Sequence, residues 1–298
     1  MPTIFLNGEF IEDAALARVS AFDAGFTHGV GLFETMGARK NDSGVVEVSR
    51  LLDHIDRLGD SARQLRLTTE LRRPALAEAV KRTAQRCGLD RQRIRLTITG
   101  GDLNPLAAAR AGETPRHDPT VLIVAQEATS YPAEMYERGV MISIADLKVN
   151  PLDPMSAHKT LNYWGRLGEL QRASAKGAAE ALVFQVTNHL AGGCVSSAIL
   201  VKDGQVLVPV ARGEESAGGL PSPVLPGVTR AAVLEIARQE GIETTGRMLT
   251  IDDVLGADEL MLTNASWGIL PVVRVESRNI GSGAVGEVTR KLVEKLGH

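Results

Sequence analysis

Residues 93–99 read Arg-Ile-Arg-Leu-Thr-Ile-Thr, a strict alternation of polar and apolar side chains. Only an extended strand sends successive side chains to opposite faces, so the segment predicts a strand with one polar and one apolar face. Upstream the period is different. Leu51, Leu52, Ile55, Leu58, Ala62 and Leu65 recur at helical spacing across residues 50–67. Residues 74–87 give a second amphipathic helix, closed by Gly88. Ile4-Phe5-Leu6 and Glu9-Phe10-Ile11 flank Asn7-Gly8, a hairpin signature, and residues 121–125 form a short buried strand. Residues 1–125 therefore predict one small α+β domain.

Residues 126–137 carry Pro132 and no clear period, and they predict a linker. A larger domain is expected over 138–298. It has strands at 140–144, 181–187, 195–202, 205–210 and 260–263, and helices at 159–176, 229–240 and 285–296. Leu161, Trp164, Leu167, Leu170 and Ala173 line one side of the first of these helices. Residues 212–226, rich in Gly, Pro and Ser, predict a loop. The fold class is thus α/β in the broad sense, two α+β domains in tandem.

A chain of 298 residues, 44% hydrophobic and 23% charged, is long enough for two cores. A net charge of -3 argues against a nucleic-acid or membrane-surface protein. Two cysteines, Cys87 and Cys194, are too few for a disulfide framework. Residues 1–10 show no secretion signal, and no apolar run is long enough to cross a bilayer. The expectation is a cytoplasmic enzyme or binding protein acting on a small molecule, with no metal site.

Three local features bear on chemistry. Lys159 is read at the start of a helix, where the dipole disfavours its charged form and favours a nucleophilic amine, with Tyr163 one turn on. Most helix-end lysines, however, only face water. Leu225-Pro226-Gly227-Val228-Thr229-Arg230 is a Gly-containing turn opening a helix, with Thr at the cap, a cradle suited to phosphate. Plain caps far outnumber phosphate sites. Arg57, on the first helix, is either a solvent-facing side chain or a bidentate phosphate ligand. None of the three is specific alone.

Together, and in this order, they resemble the fold-type IV (class IV) enzymes that use pyridoxal 5'-phosphate (PLP). That group holds branched-chain and D-amino acid aminotransferases and aminodeoxychorismate lyase. The resemblance runs nearly end to end. Its blocks are Gly29–Thr35, His54-Ile55-Asp56-Arg57-Leu58, Lys159-Thr160-Leu161-Asn162-Tyr163, Leu225–Arg230, Ala257–Leu260 and Gly286–Thr289. It implies a barrel-like β core in the larger domain, a homodimer, and a site between the two domains. Lys159 would form the internal aldimine and act as the catalytic acid and base. Tyr163 would bond the cofactor's phenolic oxygen. Arg57, Val228 and Thr229 would hold the phosphate, with Ala265 and Ser266 adding phosphate and substrate-carboxylate contacts. His28, Phe33, Arg95 and Ala265 would line the substrate pocket. Arg93 shares the polar strand face with Arg95, and a salt bridge or a substrate carboxylate are equal readings of it.

One departure stands out. Aligned on Lys202-Asp203-Gly204, the family's acid for the pyridine nitrogen falls on Gly192 and its usual Asn on Ser197. Without that acid the cofactor is a weaker electron sink. Gly192→Glu is therefore expected to raise amino transfer. The Asn264-Ala265 pair is closer to the lyase branch. The implied function is amino transfer between an amino acid or amine and a 2-oxo acid. Alternatives are pyruvate elimination from aminodeoxychorismate in folate synthesis, or PLP binding with weak or no transaminase activity.

Overall fold

The computed structural model describes residues 2–68, 71–102 and 119–297. It divides into two compact units, one of Met1–Thr129 with His158–Asn162, the other of Ser130–Ala157 with Tyr163–His298.

The first unit is built on strands β1 (Thr3–Leu6), β2 (Glu9–Ile11), β3 (Gly31–Lys40), β4 (Val46–Val48), β5 (Arg91–Thr99) and β6 (Val121–Glu127). Its helices are α1 (Ala24–His28), α2 (Leu51–Gln64) and α3 (Arg73–Cys87). The sheet runs β2-β1-β6-β5-β3-β4, and the pairings of β1 with β2 and β6, of β3 with β4 and β5, and of β5 with β6 are antiparallel. The alternation read in residues 93–99 is realised. Ile94, Leu96 and Ile98 are fully buried, together with Met36 and Ile123 of the sheet and Ile55, Leu58, Val80 and Ala84 of the helices. Each of these side chains larger than alanine contributes about 2 kcal/mol on burial. Helix α3 ends where Gly88 adopts φ +67°, a left-handed cap.

Strand β4 covers only Ala38–Lys40 of β3, so the first half of β3 has an unfilled edge. Residues 159–161 fill it. The Phe33 N–H donates to the Lys159 carbonyl at 2.9 Å, the Leu161 N–H donates to Gly31 at 3.0 Å, and Leu32 faces Thr160. Lys159 is therefore extended, and the helix expected from residue 159 begins only at Trp164. The backbone groups of 159–161 bond to a sheet edge instead of to one another, which removes the helix-dipole argument for this lysine.

The second unit contains α4 (Glu134–Glu137), β7 (Val140–Val149), α5 (Trp164–Ala175), β8 (Ala181–Gln185), β9 (Leu190–Gly193), β10 (Ser197–Lys202) and β11 (Gln205–Pro209). It continues with α6 (Val228–Gln239), β12 (Thr244–Arg247), α7 (Ile251–Leu255), β13 (Glu259–Asn264), β14 (Gly268–Val275), β15 (Arg278–Asn279) and α8 (Glu287–Leu296). The mixed sheet runs β12-β11-β10-β13-β14-β7-β8-β9, with β15 on β14. It curls until β9, last in that order, lies beside β10 and β11, a half-barrel. Helices α6 and α8 cover one face through Val233, Leu234, Ala237 and Leu292. The apolar stripe expected on α5 is only partly used. Ala173 is buried and Leu170 packs beside it, whereas Trp164 and Leu167 are exposed.

Candidate active site

In the first unit, the polar side of the sheet gathers three of the expected site residues. The β3–β5 register sets Phe33 opposite Thr97 and Thr35 opposite Arg95, so Phe33 and Arg95 share a face as diagonal neighbours. The Arg95 guanidinium carbon lies 3.8 Å from the centre of the Phe33 ring, and Lys159 Nζ lies 4.4 Å from the same centre. One ring thus faces two cations, each contact worth about 0.5–2 kcal/mol depending on desolvation. His28 stands in the last turn of α1, exposed, with Gly29 at φ +68° closing the helix. The start of α1 is tied down by Asp23. Its carboxylate accepts from Gly25 N at 2.7 Å, Thr99 Oγ1 at 2.7 Å and Thr120 Oγ1 at 2.6 Å. Burial pushes the Asp23 pKa up, and these donors bring it below the ordinary value.

The helix-covered side of the same sheet holds Arg57. Its Nε donates to Glu34 Oε1 at 2.8 Å and its Nη2 to Glu34 Oε2 at 2.6 Å. His54 Nδ1 is 2.7 Å from Glu34 Oε2. Burial raises the Glu34 pKa, but the Arg57 charge and the bonds from His54 and Arg57 outweigh it and hold the carboxyl at about 2. One turn further along α2, Ser61 Oγ is 2.9 Å from His158 Nδ1, next in the chain to Lys159. His54, Arg57 and Ser61 thus form a buried or nearly buried polar stripe beside the apolar one. Sequence reading found Arg57 and missed the other members. The available signal was Glu34 itself, a charge in phase with the apolar positions Leu32 and Met36 of a strand.

In the second unit, Val228 and Thr229 occupy the first two positions of α6, and Gly227 is the cap. Thr229 is therefore inside the first turn of the helix, not at the cap as expected, because Gly227 already has the extended backbone a cap requires. No side chain caps this helix, and its first turn holds no acid. A Cβ at residue 227 would lie 2.4 Å from Ser197 Oγ, so a side chain there would require the Ser197 hydroxyl to move. Asn264 ties the β13–β14 turn to the same end of the sheet. Its Nδ2 donates to Val195 O at 3.4 Å, and its Oδ1 accepts from Ser266 N at 2.8 Å and Trp267 N at 3.0 Å. Ala265 and Ser266 lie in this turn. The Ser266 amide is thereby engaged, so an outward contact from that residue falls to its hydroxyl. Tyr163 is the residue preceding α5, and the Arg166 guanidinium lies 5.9 Å from its ring centre.

Gly192 has φ +141°, and a Cβ there would come within 2.9 Å of the Ser196 carbonyl oxygen. Neither the backbone nor the space suits a side chain, so this end of β9 is built around glycine and the expected benefit of Gly192→Glu is withdrawn. The acid at the bend that follows is Glu180, fully buried. It accepts from the amides of Cys194 and Val195 and from Ser196 Oγ at 3.1, 3.2 and 3.0 Å. Burial holds its pKa above the ordinary value despite these donors. Arg166 Nη1 donates to the Gly193 and Cys194 carbonyls, both at 3.1 Å. Burial, then the Glu180 charge, pushes the Cys194 thiol up to about 12.

These groups define chemistry at an amine and an anion. There is a lysine amine and an arginine on one phenylalanine ring, and a helix start with no acid in its first turn. Among the described residues no cluster of His, Cys, Asp or Glu is arranged to hold a metal ion, and no helix is long and apolar enough to cross a membrane. Residues 31–275 match the family model described as amino-transferase class IV. The chain is 34% identical over 295 residues to a putative branched-chain-amino-acid aminotransferase of Methanocaldococcus jannaschii, covering 98% of this chain and 94% of that one. The crystal structure of the Escherichia coli branched-chain amino acid aminotransferase superposes with a TM-score of 0.84 at 26% identity, covering 97% and 91% of the two chains. A second branched-chain amino acid aminotransferase, from T.th. and crystallised with pyridoxamine 5'-phosphate, also gives 0.84, at 27% identity, covering 98% and 92%. The 4-amino-4-deoxychorismate lyase structure from Pseudomonas aeruginosa gives 0.80 at 26% identity, covering 98% and 97%. The chain belongs to the class IV aminotransferases. It is an enzyme of that family, a transaminase or a related lyase, and the family's enzymes work with PLP.

Proposed function

We propose that this enzyme uses PLP, held on Lys159, to move an amino group between an amino acid and a 2-oxo acid, with branched-chain amino acids as the first substrates to test. The observation that carries the reading is the placement of Lys159 Nζ and the Arg95 guanidinium on one Phe33 ring. That arrangement brings an amine and a carboxylate-binding cation to one aromatic ring, the two groups that an amino acid requires.

The phosphate end of the cofactor fits the residues present. The amides of Val228 and Thr229 open a helix that has no acid in its first turn and no side-chain cap, and glycine at 227 keeps the approach narrow. Arg57 supplies a fixed positive charge, and Ser266 a hydroxyl. Tyr163 is assigned to the phenolic oxygen. When bound, the cofactor supplies an electron sink for the pair left at the substrate's α carbon. Lys159 Nζ would take the proton from the substrate's α carbon and deliver it to the cofactor's C4' carbon, the acid–base role assigned to this amine. Arg95 orients the substrate by a carboxylate, Phe33 presents an apolar wall beside it, and His28 and Ala265 are assigned to the same pocket. Gly192 gives the ring nitrogen no carboxylate.

The lyase reading has one feature of its own. Asn264-Ala265 resembles that branch, and the Asn264 side chain organises the turn it starts. Incubating the PLP-loaded protein with single amino acids and 2-oxoglutarate tests both readings. Glutamate formed from leucine, isoleucine or valine supports the proposal. Pyruvate released from aminodeoxychorismate, with no glutamate from any amino acid, supports the lyase. We propose further that the enzyme is cytoplasmic and works as a homodimer, as expected for a chain of this composition and family.

A further inference from the structure

We infer that Glu34 is a positioning residue for the phosphate contact of Arg57, an inference that rests on the proposed assignment of Arg57 to the cofactor phosphate. The β3 register turns Glu34 toward the core, between Leu32 and Met36, where a carboxylate is costly. It is only 1% exposed. Helix α2 brings the two groups that compensate. Arg57 binds both carboxylate oxygens through Nε and Nη2, and His54 reaches Oε2 from one turn earlier.

A buried ion pair of this kind adds little net stability, because desolvation offsets the attraction. What it fixes is direction. Arginine rotates about four side-chain bonds, and a two-point clamp on one edge of the planar guanidinium stops that rotation. With Nε and Nη2 on Glu34, the Nη1 edge is set relative to β3, the strand on which Lys159 is also hung through the Phe33 amide. Strand β3 thus carries both the Glu34 clamp on Arg57 and, through the Phe33 amide, the Lys159 segment. In the proposed assignment a phosphate monoester meets Arg57 while the Glu34 carboxylate holds its Nε and Nη2. Glu34 touches neither cofactor nor substrate in this account.

The experiment compares how tightly the apoenzyme binds PLP and pyridoxal, the same ring without the phosphate, by absorbance titration of the wild type, Glu34→Gln and Arg57→Ala. The readout is the ratio of the two dissociation constants, which isolates the phosphate contribution. Glu34→Gln is expected to lower PLP's advantage about tenfold while leaving pyridoxal affinity within about twofold. Arg57→Ala is expected to lower that advantage at least as much. A loss in Arg57→Ala with the ratio unchanged in Glu34→Gln overturns the inference and leaves Arg57's assignment standing. An unchanged ratio in Arg57→Ala overturns both. If Glu34→Gln does not fold, Glu34→Asp, which keeps the charge one methylene further back, replaces it. A reduced PLP advantage with pyridoxal binding retained then supports the inference, and an unchanged one overturns it.

Discussion

Lys159 Nζ lies 4.4 Å from the centre of the Phe33 ring, and the Phe33 amide donates a hydrogen bond to the Lys159 carbonyl at 2.9 Å. The two residues are thus joined twice, once through the backbone and once through the side chains. The backbone bond places the lysine on a sheet edge. The ring then lies against its amine.

Removing the ring and keeping the backbone separates these effects. Phe33→Leu should leave the fold intact and release both cations that share the ring. The loss of two cation–π contacts at the low end of their range, about 1–2 kcal/mol together, predicts a roughly tenfold lower kcat/KM for the amino donor. Steady-state kinetics against leucine and glutamate check this.

Gly192→Glu looks on alignment like a repair, and the structure predicts damage. Its positive φ and the approach to the Ser196 carbonyl together cost about 1–3 kcal/mol. For a unit of this size that is a fall of several degrees in Tm, at roughly 2–4 °C per kcal/mol. Calorimetry of the apoprotein measures it. A variant as stable as the parent contradicts this reading of Gly192.

The buried trio of Glu34, His54 and Arg57 has a pH signature. The Glu34 pKa is depressed from 4.5 to about 2 in the folded protein. A depressed carboxyl contributes stability above its unfolded pKa and loses it as pH falls through the folded one. The Tm difference between wild type and Glu34→Gln should therefore be widest above about pH 5 and close steadily between 4.5 and 2. Thermal melts across that range give the answer.

The Ser61–His158 contact, 2.9 Å long, steadies the segment that carries Lys159. Ser61→Ala removes one partly buried hydrogen bond, worth about 1 kcal/mol. It should slow the spectral change on adding PLP to the apoprotein by a few fold, with little change in overall Tm. A rate equal to the parent's would show that this bond does not steady the lysine.

Thiol chemistry offers a further contrast. Cys194 is buried and its thiol is pushed up to about 12, whereas Cys87 is only partly covered. A thiol reagent added to the native protein should modify Cys87 alone, with Cys194 reacting only on unfolding. Peptide mapping of the labelled protein distinguishes the two.

Much of this was legible in the chain. The alternation of residues 93–99 and the helical spacing of 51–65 gave the sheet and its covering helix, because those periods follow from local geometry. The blocks around Lys159, Arg57 and Val228 pointed to the family that the comparisons show. What did not show was long-range. Residues 159–161 read as helical because nothing local reveals that a sheet edge 126 positions earlier, at Phe33, is open to receive them. Glu34 and His54 escaped notice because a buried charge is recognisable only once its partners are in place. Gly192 read as a lost acid because an alignment records which residue stands there and not the φ it adopts.

The central claim is that Lys159 carries the cofactor in an enzyme that transfers amino groups. Reducing the PLP-loaded protein with borohydride and mapping its peptides by mass tests it most directly. The account predicts a phosphopyridoxyl group on Lys159 alone, and loss of that label together with amino transfer in Lys159→Ala. A label on another lysine, or amino transfer that survives in Lys159→Ala, would contradict it.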